Sequence, residues 1–150
     1  MRYILEIDRF NILIEEEDEC ITRLEFTDLE KSSNIDSKVV LQLEKELKEY
    51  FQGKRKDFTV PLKMVGSEFQ MRVWNELKKI KYGETKSYKE IAEGIGNPKG
   101  CRAVGNANGK NPISIIVPCH RVINENKKLG GYAGGVDIKK ILLELEEKNS

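Results

Sequence analysis

The sequence predicts a mixed α/β fold of the α+β kind: a small N-terminal antiparallel sheet plus helix, joined to a mainly helical C-terminal domain that contains a helix-turn-helix. Three observations predict it. Apolar and polar side chains alternate with a period of two through the first 26 residues, apolar residues recur at helical spacing in most of the remaining chain, and two Ser-x-x-Gln/Glu capping signals stand at the heads of helical runs. At 150 residues the chain has room for one core or for two small ones.

The stretches "RYILEID", "FNILIEEE" and "CITRLEF" each place apolar residues at roughly every second position between short polar breaks, which predicts three antiparallel strands. Next, "SKVVLQLEKELKEYFQG" carries Val40, Leu43, Leu47 and Tyr50 at helical spacing, with Ser37 as N-cap and Gly53 as stop. Residues 1–53 thus make a βββα domain. Residues 54–66, "KRKDFTVPLKMVG", read as an extended linker, and residues 67–150 as the second domain.

That domain opens with "SEFQMRVWNELKKI", where Ser67 and Gln70 have capping-box spacing and Phe69, Val73, Trp74, Leu77 and Ile80 make one apolar stripe. Ser87 and Glu90 repeat the signal ahead of "SYKEIAEGIG". "NPKGCRAVGNANG" then predicts a second short helix with Asn97 as N-cap and Pro98 at its first position, so the pair forms a helix-turn-helix candidate. Gly100, Ala103, Gly105, Ala107 and Gly109 make this helix small, and each glycine weakens it by up to ~1 kcal/mol relative to alanine. Such a surface suits close approach, either by a packed neighbour or by a nucleic-acid backbone. "ISIIVP" predicts a buried strand ending at Pro118, "GGYAGG" a loop, and "DIKKILLELEEK" a last helix capped by Asp137 with Ile138, Ile141, Leu142 and Leu145 buried and Glu146 beside that stripe.

Composition narrows the function. The net charge of +1 hides an asymmetry: residues 1–50 hold 14 acids and 7 bases, leaving +8 on the remainder, and Gly94–Asn124 contains Lys99, Arg102, Lys110 and Arg121 with no acid. A surface cleared of acids admits phosphate. Acids interrupt the N-terminal apolar run too early for a signal peptide or a spanning segment, so no membrane is implied. Three widely spaced cysteines, an odd number, suit free thiols in a reducing compartment, and the cytoplasm is the expected location.

Cys119, His120 and Arg121 come directly after Pro118. A thiol of ordinary pKa, about 8.5, is only a few per cent thiolate at neutral pH, and the thiolate is the nucleophile. A histidine that takes the proton, oriented by a carboxylate, solves this, and His120 is the chain's only histidine. Cys119, His120 and Glu146 therefore form a candidate catalytic array, against the plain alternative of a buried structural cysteine. Zinc would need four ligands at short spacing, which three scattered cysteines and one histidine do not offer; no metal is expected. Cys20 and Cys101 read as small buried hydrophobic residues rather than ligands or resolving thiols.

"YGETKSYKEIAEGIGNPKGCRAVGNANGKNP", "NPISIIVPCHRVI", "GGYAGG" and "KKILLELEE" together resemble the O6-alkylguanine-DNA alkyltransferases, direct-reversal DNA repair proteins, closely over Ser67–Glu147 and in outline before it. The resemblance implies binding of double-stranded DNA containing O6-alkylguanine by a helix-turn-helix that enters the minor groove. It implies that Arg102 fills the space left by a flipped nucleotide, and that the base enters a pocket beside the cysteine. It also implies that Cys119 accepts the alkyl group irreversibly, once per molecule and without a cofactor, with His120 as its water-mediated base and Glu146 orienting His120. Asn111 would link the recognition helix to the active-site segment, and the Tyr88 hydroxyl would hydrogen-bond guanine as O6 leaves. Tyr132 would wall the pocket, the carbonyls of Cys119 and Val122 would accept from the guanine amino group, and Arg121 would be structural. A monomer is expected.

Two departures stand out. Ala133 occupies a position where many members have serine, so only its backbone N–H could contact O6. Some members bind zinc in the N-terminal domain, whereas residues 1–66 hold no histidine and only Cys20, so no structural zinc is expected. Rival readings are a recognition protein that binds alkylated guanine without repair, a cysteine hydrolase, and a DNA-binding module with an incidental cysteine. Cys119 itself opposes the first, and the lack of a clear oxyanion-hole motif opposes the second.

Overall fold

The structure, a computed structural model, describes residues 1–132 and 134–150, which divide into two compact units, Met1–Met64 and Val65–Ser150. The class is mixed α/β, as the alternation and capping signals imply.

In the first unit, strands β1 (Arg2–Ile7), β2 (Phe10–Glu17) and β3 (Cys20–Thr27) form an antiparallel meander in chain order. The period-two pattern sets the register, which pairs Ile4 with Leu13 and Ile14 with Leu24, and it buries Leu5, Ile12, Ile14, Ile21 and Leu24. A bulge at Glu15/Glu16 kinks β2. Helix α1 (Lys38–Phe51) starts where the Ser37 side chain accepts from the Val40 N–H at 3.3 Å and stops at Gly53, whose φ of +75° few other residues tolerate. Its buried face is the expected Val40, Leu43, Leu47 and Tyr50, joined by Glu46. That carboxylate is accommodated because the Gln42 amide (2.6 Å), the Thr59 N–H (2.8 Å) and the Thr59 hydroxyl all donate to it. Residues 54–64, expected from composition to be linker, run against this unit: Ile21 N–H donates to the Pro61 carbonyl at 2.8 Å and Lys63 N–H to the Ile21 carbonyl at 2.9 Å.

The second unit contains α2 (Glu68–Leu77), α3 (Tyr88–Gly94), α4 (Cys101–Gly109) and α5 (Val136–Asn149), with a two-residue parallel pair of β4 (Lys86–Ser87) and β5 (Val122–Ile123). Both capping boxes form, Ser67 with Gln70 and Ser87 with Glu90. Trp74 is buried, and its indole N–H donates to the Ala107 carbonyl at 2.9 Å, which fastens α2 to α4.

Three local expectations are corrected. Helix α4 begins at Cys101 with Gly100 as its N-cap, not at Pro98: Gly96 at φ +77° ends the preceding helix, and the Gly100 N–H closes a tight turn on the Asn97 carbonyl at 2.9 Å. The run "ISIIVP" is not a strand but a compact turn with Ile115 at φ +70°, in which the Val117 N–H reaches the Ile113 carbonyl at 3.1 Å. An apolar run this short reads alike for strand and buried turn, and a polar residue outside it decides. The Asn111 side chain accepts from Ile113 N–H (3.0 Å) and donates to the Val117 carbonyl (2.8 Å). Finally, α5 starts at Val136 after Gly135, so Asp137 sits in the first turn rather than at the cap. The fully buried face of α5 is Lys139, Leu142 and Glu146, with Ile138, Ile141 and Leu145 half-buried.

Candidate active site

Pro118 ends the turn held by Asn111, and a single 3-10 turn, Cys119–Arg121, connects it to β5. All three residues of that turn are buried, with Cys119 3% exposed and His120 fully enclosed. Asn111 thus acts at a distance in sequence: by fixing the Val117 carbonyl, which accepts from the Cys119 N–H at 2.8 Å, it fixes where the thiol begins.

Helix α5 supplies the partner for His120. Glu146 Oε2 lies 2.6 Å from His120 Nε2, while Arg121 Nε donates to Oε1 at 2.7 Å and another Arg121 nitrogen to Oε2 at 3.0 Å. Arg121 also donates to the Ile80 carbonyl at 2.7 Å and lies over the Tyr82 ring, 5.7 Å from its centroid. The carboxylate beside Nε2 places the imidazole proton on that nitrogen, so Nδ1 keeps a lone pair, and among the described residues it has no hydrogen-bond partner.

Charge is set by burial and its partners. Burial alone would push the Glu146 carboxyl up, but the His120 and Arg121 hydrogen bonds outweigh it and hold the pKa at about 2. Burial pushes His120 below its ordinary value despite Glu146, leaving a neutral imidazole. Burial pushes the Cys119 thiol up, with the Asn111 amide and the Lys139 ammonium pulling the other way. At rest the turn thus carries a protonated thiol and, at the next residue, a neutral imidazole.

Lys139, which periodicity along α5 did not single out, is fully buried. Its ammonium donates to the carbonyls of Val122 (2.6 Å), Gly131 (3.1 Å) and Leu129, and lies 6.0 Å from the centroid of the Tyr88 ring. Burial lowers its pKa to about 8, against which Cys119 acts to raise it. One side chain thereby ties the loop before α5 to the residues after Cys119.

A cavity of about 660 Å³ opens on this region, lined among others by Tyr88, Arg102, Asn108 and Tyr132. Tyr88 comes from the first turn of α3, Arg102 and Asn108 from α4, and Tyr132 from the loop that Lys139 ties. Burial raises the Tyr88 phenol and raises that of Tyr132 well above the ordinary value, so both stay protonated and able to donate. The small residues of α4 divide between two faces. Val104, Ala107 and Asn108 face inward, whereas Arg102, Ala103, Asn106 and Gly109 are exposed. Asn108, absent from the sequence-based candidates, donates from its amide to the Cys119 carbonyl at 3.4 Å, linking cavity to thiol. Its one legible signal is a polar side chain at helical spacing from Val104. Cys119, Asn111 and Val122 are not among the described lining residues of the cavity; Asn111 is held by its bond to the Val117 carbonyl and Val122 by its bond to Lys139, and Ala133 lies outside the described residues.

Among known proteins, the family described as 6-O-methylguanine DNA methyltransferase, DNA binding domain, matches residues 68–148, and its ribonuclease-like domain matches residues 10–64. A methylated-DNA–protein-cysteine methyltransferase of Methanosarcina acetivorans is 62% identical over 102 residues, 68% of this chain and 65% of that protein. The inducible one of Bacillus subtilis is 53% identical over 105 residues, 70% of this chain and 59% of that protein. These matches span less than two thirds of either relative's length. A crystal structure of Mycobacterium tuberculosis OGT in complex with DNA superposes with a TM-score of 0.85 at 43% identity, over 93% of this chain and 88% of that one.

Proposed function

Because the chain belongs to the 6-O-methylguanine DNA methyltransferase family, we propose that it repairs DNA by direct reversal, taking the alkyl group from O6 of guanine onto Cys119. The observation that carries this reading is a buried Cys119 followed in the same 3-10 turn by a buried His120, whose Nε2 is held by Glu146 and whose Nδ1 has no partner among the described residues.

The guanine is flipped from the duplex into the cavity lined by Tyr88 and Tyr132, with Arg102 of α4 filling the gap in the stack. The open, small-residue face of α4 lets a minor groove come close, and the exposed Lys99 and Lys110 meet phosphates. His120 Nδ1 takes the Cys119 proton through an intervening water, and the imidazolium is stabilised by Glu146. The sulfur attacks the alkyl carbon, the carbon–O6 bond breaks, and its electron pair leaves on guanine. The imidazolium then gives its proton to the guanine anion, which leaves as neutral guanine, while the Tyr88 hydroxyl donates a hydrogen bond to it as the carbon–O6 bond breaks. A thiol kept protonated at rest limits stray alkylation or oxidation before a base is in place. The thioether is stable, so each molecule acts once, as a monomer in the reducing cytoplasm.

The test is single-turnover repair of a duplex bearing one O6-methylguanine. The native chain should restore one guanine per protein molecule, and Cys119→Ala should abolish repair while DNA affinity stays within about threefold. Loss of binding in Cys119→Ala with intact folding, or repeated turnover by the native chain, would contradict the reading.

A further inference from the structure

The turn that delivers Cys119 carries one polar side chain within an apolar run, Ser114 of "ISIIVP". The Ile116 N–H turns back onto the Ser114 carbonyl at 2.8 Å and Ile115 takes a φ of +70°, so the side chains do not alternate as in a strand. Ser114 is thereby buried, 4% exposed, with its hydroxyl within hydrogen-bond reach of the Cys119 thiol. The same hydroxyl acts on the Tyr132 phenol, and a Cys119 thiolate would act on that phenol as well, so the three groups form one cluster. Tyr132 lines the cavity, and the cluster therefore joins the thiol to the cavity wall.

A thiolate formed in this enclosure needs donors, because burial opposes its charge. Burial pushes the Cys119 thiol up, and the groups that pull it down are the Asn111 amide, the Lys139 ammonium, the Cys119 N–H and the Ser114 hydroxyl. The first three have committed their protons to carbonyls. The Asn111 amide donates to Val117 (2.8 Å) and Ile113 (3.4 Å), the Cys119 N–H to Val117 (2.8 Å), and the Lys139 ammonium to Val122, Leu129 and Gly131. Among the described residues the Ser114 hydroxyl has no carbonyl partner; its neighbours are the thiol and the Tyr132 phenol. A hydroxyl proton also rotates to meet a new acceptor. The Tyr132 O–H makes no well-aligned hydrogen bond among the described residues, so it can donate to Ser114 Oγ once the Ser114 proton turns to sulfur. Each bond in such a chain strengthens the next.

We propose that the Ser114 hydroxyl donates a hydrogen bond to the Cys119 sulfur as the thiol loses its proton, with the Tyr132 O–H donating to Ser114 behind it, which makes Ser114 a further catalytic residue. This rests on the alkyl-transfer reading and deepens it. His120 takes the proton through water, and Ser114 holds the charge left on sulfur. The bond weakens once the alkyl carbon has neutralised the sulfur, so the hydroxyl favours the reactive thiolate over both the resting thiol and the product thioether.

The thiol is tested without DNA, by the initial rate at which iodoacetamide alkylates Cys119 between about pH 6 and about pH 10. The rate is read on the Cys119 peptide by mass spectrometry, so that the free Cys20 and Cys101 do not contribute. Loss of one charge-assisted hydrogen bond in Ser114→Ala should move the apparent pKa of Cys119 up by about one unit. At neutral pH this rate, and that of single-turnover methyl transfer from an O6-methylguanine duplex, should fall about threefold, a tenfold smaller thiolate fraction being partly offset by a more nucleophilic sulfur. Ser114→Thr, which restores the hydroxyl, should stay within about 0.3 unit of the native profile. A native profile in Ser114→Ala would overturn the proposal, as would a Ser114→Thr profile shifted as far as that of Ser114→Ala. If Ser114→Ala does not fold by circular dichroism, Ser114→Gly and Tyr132→Phe carry the comparison; each should shift the profile upward, and no shift overturns the proposal. If the native chain takes no methyl group from the duplex, the alkyl-transfer reading falls and the catalytic role of Ser114 with it, whereas intact native transfer with an unshifted variant profile removes that role alone.

Discussion

His120 is neutral and Glu146 charged for one reason: two cations and a carboxylate cannot all be buried without a proton arrangement that leaves the fewest charges unpaired, and Arg121 already pairs with Glu146. Both groups have folded pKa values below their unfolded ones, so the unfolded chain takes up protons first as the pH falls. The stability tied to His120 is full above about pH 6.5 and drains below it. That tied to Glu146 is full above its ordinary value of 4.5 and is lost as the pH falls through about 2, a contribution of roughly 3 kcal/mol. Urea unfolding of Glu146→Gln should therefore show lower stability at pH 7 and a flatter acid limb, and its methyl-transfer rate should fall about 100-fold because His120 loses its orienting partner. An unchanged acid limb would contradict the assignment. Lys139→Met leaves three carbonyls without their donor and should cost about 2–3 kcal/mol in thermal or urea unfolding. The burial of Cys119 and the pairing of His120 with Glu146 are legible in the sequence because the residue types proposed as nucleophile, base and orienting acid are recognisable there. Lys139 and Asn108 are not, because their roles come from which carbonyl they meet, and a lysine on an amphipathic helix ordinarily points to water.

Helix α4 is where sequence pattern and folded element agree on character and differ on detail. Its glycines are not demanded by crowding throughout: a Cβ at Gly109 would meet nothing within 4 Å, and one at Gly105 would only touch the Tyr88 ring at 3.8 Å. Gly109→Ala should accordingly leave folding intact and raise stability by up to ~1 kcal/mol in thermal unfolding. Ala103→Glu, on the exposed face, should leave the melting temperature unchanged but weaken duplex binding at least about tenfold by fluorescence anisotropy, because a carboxylate there opposes phosphate. Capping boxes at Ser67 and Ser87 are readable because their hydrogen bonds are local. The start of α4 and the turn over 113–117 are not, since a glycine at φ +77° and the reach of the Asn111 side chain outweigh the Asn-Pro signal and the apolar run. The pair of β4 with β5 joins residues about 36 apart, beyond any local pattern.

On the scale of the whole chain, the acid-rich first 50 residues and the acid-free stretch Gly94–Asn124 divide the labour of charge. Phosphate contacts from Lys99 and Lys110, the exposed lysines of that stretch, should give a log–log salt dependence of duplex affinity with a slope of roughly −2. Each of Lys99→Gln and Lys110→Gln should reduce its magnitude by about one, whereas a slope near zero would contradict a phosphate-borne interface. Among the described residues no helix is long and apolar enough to cross a membrane, and Cys20, Cys101 and Cys119 are all free thiols. The two-part α+β plan is readable from the change in periodicity, while the path of residues 54–64 along β3 depends on backbone hydrogen bonds that composition does not encode. The most direct measurement of the central claim is intact-mass spectrometry with peptide mapping after mixing the chain with a duplex containing one O6-methylguanine. One methyl group, in stoichiometric yield and on the peptide holding Cys119, is the expected result; duplex binding with Cys119 unmodified would contradict it.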